Sequence, residues 1–178
     1  MNVYCAPLGT QNGSTAVYSL LKHAFTLEYG NIGLPEIKKT PNGKPYFHDR
    51  RDIHFSLSHS RTHVLCALSR SPVGADIESP RQINERVVNF FCSPAELVLF
   101  EPLDIWVLKE SYIKLIGGTL AMIKKLRFSR EIEIILAPDE DVKSRLYRVN
   151  GCHIGVCSIN EAPPDRVIFI SLSTNTHV

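Results

Sequence analysis

Apolar and polar side chains alternate between Ile53 and Ser58, with Ile53, Phe55 and Leu57 on one face and His54, Ser56 and Ser58 on the other. That period of two predicts a half-buried β-strand. The pattern continues as a meander. His59-Ser60-Arg61 forms a turn, His63 to Ser69 a strand, Ser71-Pro72 a turn, and Val73 to Glu78 a third strand. Upstream, Val3 to Ala6 reads as a first strand, broken at Gln11-Asn12-Gly13-Ser14. Ala16, Val17, Leu20, Leu21, Ala24 and Leu27 then recur at helical spacing, with Ser14 as the cap and Gly30 as the stop. Ile37 to Thr40 leads into the tight turn Pro41-Asn42-Gly43-Lys44-Pro45.

Downstream the period becomes helical. Ile83, Val87, Val88, Phe90 and Phe91 share one face, and Ser93-Pro94-Ala95-Glu96 has the residues of a capping box. Asp104 to Gly117 predicts a longer helix, capped by Asp104 and ended by Gly117-Gly118. Ile105, Leu108, Tyr112, Leu115 and Ile116 form its apolar face, and Glu110 and Lys114 lie opposite at the spacing of a helix ion pair. Trp106 and Ile113 flank that pair on one side and Val107 on the other. A helix apolar on both flanks is covered on both, so the pair either lines a cleft or is a surface salt bridge. Glu131 to Ala137, Leu146 to Val149, His153 to Ile159 and Val167 to Leu172 read as strands. The order predicts an α+β fold of two similar halves, residues 1–72 and 73–178, each a helix on a small antiparallel sheet.

Composition narrows the class. The 178 residues are 44% hydrophobic, enough for one globular unit, and the net charge of +2 argues neither for nor against bulk nucleic-acid binding. Cysteines 5, 66, 92, 152 and 157 form no CxxC pair, so they read as buried thiols in a reducing compartment. No signal peptide or membrane span is visible, which predicts a soluble cytoplasmic protein.

The candidate chemistry lies in Val73-Gly74-Ala75-Asp76-Ile77-Glu78. Side chains two apart on a strand share a face, so Asp76 and Glu78 project together and repel. A hard cation such as Mg²⁺ relieves that repulsion; an exposed strand with two solvated acids is the alternative. Lys44, held between a glycine and a proline, is either solvated or in reach of a phosphate. His59 and His63 straddle a turn and do not share a helix face for a metal.

Gly43-Lys44-Pro45, Phe55-Ser56-Leu57-Ser58-His59-Ser60, Val73-Gly74-Ala75-Asp76-Ile77-Glu78 and Trp106-Val107-Leu108-Lys109-Glu110-Ser111-Tyr112-Ile113-Lys114, in that order and spacing, resemble the 4′-phosphopantetheinyl transferases of the surfactin-synthetase-activating (Sfp) type. The resemblance implies two α+β halves related by a pseudo-two-fold, with coenzyme A at their junction. It implies transfer of the phosphopantetheine arm of coenzyme A to a serine of an acyl, peptidyl or aryl carrier protein, releasing adenosine 3′,5′-bisphosphate. By matched position it makes Asp76, Glu78 and Glu110 ligands of Mg²⁺, or of Mn²⁺. Lys44, Ser58 and His59 become holders of the coenzyme A phosphates. Lys114 becomes the lysine at the reacting pyrophosphate, and Glu110 and Lys114 the catalytic pair. A monomer is expected, acting without nucleic acid or membrane. A relative that binds coenzyme A or a carrier without chemistry is the alternative. The basic residues before position 43, Lys22, His23, Lys38 and Lys39, do not fit the family's spacing for the adenosine 3′-phosphate.

Overall fold

Two stretches of the chain follow the same path. In the first, β1 (Asn2–Pro7) leads to α1 (Gly13–Tyr29), the hairpin of β2 (Ile37–Lys39) and β3 (Pro45–Phe47), then β4 (His54–His59) and β5 (His63–Ser69). β5 returns to pair antiparallel with both β1 and β4. In the second, β6 (Val73–Glu78) leads to α2 (Glu85–Phe91), α3 (Pro94–Leu99) and α4 (Pro102–Ile116). The hairpin of β7 (Ser129–Glu131) and β8 (Ile134–Leu136) follows, then β9 (Val142–Val149) and β10 (Cys152–Ile159). β10 pairs antiparallel with both β6 and β9. The orders β1-β5-β4 and β6-β10-β9 are one topology used twice. The computed structural model describes residues 1–10 and 12–171.

Alternation along the strands sorts side chains into three cores. Tyr4, Phe55, Val64 and Leu68 face α1, which buries Val17, Leu20, Leu21 and Phe25 against them. Ile105, Leu108, Tyr112 and Leu115 of α4 bury against the second sheet with Phe128, Val142 and Cys157. The remaining faces meet each other, Val3, Cys5, Leu65 and Ala67 against Val73, Ala75, Ile77, Ile154 and Val156. The layers run helix, sheet, sheet, helix, an α+β fold with helices on small antiparallel sheets. β11 (Ile168–Phe169) lies parallel beside β1, so the chain returns after β10 to the sheet in which it began.

Several local expectations are revised. The cap of α1 is Asn12, whose carboxamide accepts from the Ser14 amide at 2.9 Å. Leu27 faces solvent, and Phe25 takes the core position. The serine face of β4 is not exposed: Ser56 and Ser58 are 5% and 8% accessible because that face meets β6. The β-branched run 131–137 is not one strand, since the chain reverses at Ile132 with φ 56° to form the β7–β8 hairpin. α4 starts at Pro102, and Asp104 is not its cap but a buried first-turn residue. Ile116 is outside the apolar face, 42% exposed at the helix end. Gln11 and Leu172, expected in a loop and a strand, lie outside the described residues.

Candidate active site

Glycines allow α4 to lie flush on the second sheet. A Cβ on Gly74 would overlap the Ser111 carbonyl oxygen, and one on Gly155 would lie 2.5 Å from that of Val107. Asp76 and Glu78 share the face of Gly74, so they stand on the side of β6 that carries α4. Glu110 and Lys114 reach them from the helix. Gly117 ends the helix in the left-handed conformation (φ 66°), which suits a residue without a Cβ.

The cluster joins three elements. Lys114 Nζ donates to Asp76 Oδ1 at 2.6 Å and to Ser58 Oγ at 3.0 Å. The Ser58 hydroxyl donates to the same carboxylate oxygen at 2.7 Å. The helix ion pair expected between Glu110 and Lys114 does not form, because the ammonium turns to Asp76 instead. Burial pushes the Glu110 carboxyl up; Asp76 adds to the rise, Lys114 opposes it, and Glu78 adds again. Glu110 therefore senses both strand acids. Glu78 is partly exposed and lies 3.5 Å from Arg81.

The first half supplies the rest. Lys44 Nζ donates to the Leu115 carbonyl at 2.6 Å, and burial lowers its amine to about 8. Asn42 donates to the Gly117 carbonyl at 2.9 Å, so the β2–β3 turn satisfies two carbonyls that the end of α4 leaves open. A cavity of about 220 Å³ lies here, lined by Asn42, Lys44, Phe55, Ile113 and Lys114 among others. His59, exposed at the end of β4, packs over Gly13 so closely that a Cβ there would sit 2.8 Å from the ring. An open cleft of about 410 Å³ joins His59 to Leu8, Arg61 and Glu78. Lys114 lines the first of these spaces and Glu78 the second. Another cavity, of about 590 Å³, is lined by the β7–β8 hairpin, β9 and residues Ala162, Pro163 and Asp165, and contains none of these groups.

Asp76, Glu78 and Glu110 face a common region but do not close on one point. Among the described residues, three ligand atoms come within 4.8 Å of one another only at Glu101, Asp104 and His153. There Arg148 already holds both Asp104 oxygens and reaches Glu101 at 3.0 Å, while His153 Nδ1 lies 3.0 Å from Asp104. That cluster is a neutralised network tying β9 and β10 to the start of α4. The sequence carries no sign of it, since its members come from three elements. It also missed the buried pair Lys109–Glu96, 3.0 Å apart, where Glu96 doubles as the capping-box residue of α3.

Residues 72–159 match the 4′-phosphopantetheinyl transferase superfamily (ACPS). The chain is 37% identical over 110 residues to the 4′-phosphopantetheinyl transferase gsp of Aneurinibacillus migulanus, covering 55% of this chain and 46% of that protein. It is 28% identical over 177 residues to the 4′-phosphopantetheinyl transferase Sfp of Bacillus subtilis (strain 168), covering 89% of this chain and 77% of that protein. With psf-1 of Bacillus pumilus the identity is 36% over 86 residues, 43% of this chain and 37% of that protein. The match thus spans less than half the length of gsp and about three quarters of Sfp. The segment that matches the superfamily is the one whose β6 and α4 carry the acids and Lys114, so the likeness of this chain to the 4′-phosphopantetheinyl transferases, Sfp among them, falls on the candidate site.

Proposed function

We propose that this protein transfers the 4′-phosphopantetheine arm of coenzyme A to a serine of an apo carrier protein, leaving adenosine 3′,5′-bisphosphate. The observation that carries the reading is the meeting of Asp76, Lys114 and Ser58, from β6, α4 and β4, with Glu110 and Glu78 beside them. Three carboxylates with an ammonium among them, Glu78 opening on one cleft and Lys114 on another, suit a diphosphate accompanied by a divalent ion. The two halves, residues 1–72 and 73–178, meet at this site.

The donor set fits a hard divalent cation: Asp76, Glu78 and Glu110 offer carboxylate oxygens, and their mutual repulsion favours one. These three residues would hold Mg²⁺, with Mn²⁺ as a substitute. When bound, the ion supplies positive charge against the diphosphate. Lys114 carries out the complementary task from the protein side. Its ammonium, now on Asp76 and Ser58, is available to the oxygen that becomes the leaving group, which gains negative charge as its bond to phosphorus breaks. Lys44, Ser58 and His59 hold the coenzyme A phosphates. The carrier serine forms the new phosphorus–oxygen bond and gives its proton to Glu110. Burial and two neighbouring acids make that carboxylate a stronger base than an exposed one.

The carrier would approach over α2, α3 and the segment after α4. Val87, Phe90 and Val98 are exposed there, Lys124 lies 3.9 Å above the Phe90 ring, and Arg81, Arg86, Lys125 and Arg127 are exposed in the neighbouring stretches of chain. Such a mixed apolar and basic surface suits an acidic carrier helix. The described residues contain no helix long and apolar enough to cross a membrane, and all five cysteines are unpaired. A cytoplasmic monomer that needs no nucleic acid follows from this reading.

Mass spectrometry of apo carriers tests it. Fatty-acid, polyketide and nonribosomal-peptide carriers are incubated with coenzyme A, Mg²⁺ and the protein. The expected result is a phosphopantetheine mass gain on at least one carrier that disappears with Asp76→Ala. Binding of coenzyme A with no mass gain on any carrier would instead identify a non-catalytic relative.

A further inference from the structure

We propose that Ser56 is a positioning residue that fixes the acidic strand against the first half, and with it Asp76 relative to Ser58 and Lys114. This rests on the transferase reading, since it concerns the same site.

β4 and β6 are edge strands of different sheets and share no backbone ladder. An edge strand that is buried leaves N–H and C=O groups without partners. Ala75, fully buried in the middle of β6, is such a residue. Its amide donates to Ser56 Oγ at 2.9 Å, and its carbonyl accepts from the same hydroxyl at 3.5 Å. One hydroxyl, able to donate and to accept, thus replaces the backbone partner that β6 lacks. Ser58, two residues on and on the same face, then meets Asp76, two residues from Gly74. On its other side β6 is pressed against α4 at Gly74. The strand is held between a helix backbone and a single serine, and Ala75 sits directly between Gly74 and Asp76. Apart from Ser56, the described side-chain bonds from β4 to β6 consist of the one from Ser58 to Asp76, which belongs to the site itself.

Loss of the hydroxyl leaves the Ala75 amide buried without an acceptor and lets β6 move relative to β4. A shift of about 1 Å at a reacting centre lowers the rate on the order of a hundredfold. Ser56→Ala, Ser56→Val and Ser56→Thr separate the hydroxyl from shape, because Val and Thr match in volume. The holo-carrier assay with Mg²⁺ and coenzyme A gives kcat and KM, and amide hydrogen exchange gives the protection of Ala75. Expected is a kcat lowered on the order of tenfold to a hundredfold in the Ala and Val variants. The KM for coenzyme A should stay close to wild type, the Ala75 amide should exchange on the order of tenfold faster, and Ser56→Thr should restore both. Wild-type kcat and protection in Ser56→Ala overturn the proposal. So does an equal loss in Thr and Val, which would make the position one of packing alone. A wild-type protein inactive toward every carrier sinks the transferase reading, while Ala75 exchange in the same variants still decides the role of Ser56.

Discussion

Asp76 is the residue on which the site turns, since Lys114 and Ser58 both bond to one of its oxygens. Replacing it with Asn keeps the shape and removes the charge. Transfer should then fall on the order of a hundredfold to a thousandfold while the melting temperature stays within a few degrees. Glu110→Gln should behave alike. Lys44 offers a pH test. Burial brings its amine to about 8, so the cation is present below that pH and lost as pH rises through it. If Lys44 holds phosphate, coenzyme A affinity measured by calorimetry should weaken between about pH 7 and pH 9. Lys44→Arg, charged throughout, should flatten the curve; parallel curves would remove Lys44 from the binding site. That Asp76 and Glu78 share one face of a strand, and Glu110 and Lys114 one face of a helix, could be read in the sequence, because period two and spacing four fix which side chains lie together. Ser56, Asn42 and Lys109 could not be placed in this way, because each earns its role from a partner in another element. A serine alternating with apolar residues looks the same whether its face meets water or a second sheet edge.

At the scale of elements, α4 is the organiser. It is buried along most of its circumference, and ion pairs hold both its start and its middle. Lys109 is wholly buried against Glu96, whose carboxyl burial alone would raise; bonds from Ser93, Phe128 and Lys109 outweigh that and keep it low. Lys109→Met would strand a buried carboxylate, and stability measured by urea titration should fall by about 3–5 kcal/mol. The double variant with Glu96→Gln should recover much of the loss. At the helix start, burial pushes Asp104 up, but the bonds from Arg148 and His153 prevail and its carboxyl sits below the usual range. A depressed carboxylate contributes stability above its unfolded pKa of about 3.9 and loses it as pH falls through the folded value. Arg148→Met should therefore unfold at a higher pH in an acid titration monitored by circular dichroism; an unchanged acid midpoint would deny the network that role. The helices and most strands followed from periodicity. The β7–β8 hairpin did not, since a β-branched run signals strand but not where it folds back, and Ile132 is an uncommon residue for a positive φ.

On the scale of the whole molecule, the repeated topology is joined by a core that belongs to neither half. Val3, Cys5, Leu65 and Ala67 bury against Val73, Ala75, Ile77, Ile154 and Val156. One cooperative thermal transition is expected, and Ile77→Ala should lower stability by about 2–5 kcal/mol without splitting it. Two resolved transitions in calorimetry would count against a shared core. The two-half plan could be read from the order of elements. The face-to-face packing of the sheets could not, because alternation names an apolar face without naming what covers it.

The β2–β3 turn, which donates from Asn42 and Lys44 to the last carbonyls of α4, has a consequence for how such a chain can be divided. Each half finishes the other's backbone bonding: the first closes the helix end and strand edge of the second, and the second returns β11 to the sheet of the first. Severed between residues 72 and 73, the pieces should be insoluble alone and regain activity only when co-expressed, as complementing fragments rather than as autonomous modules.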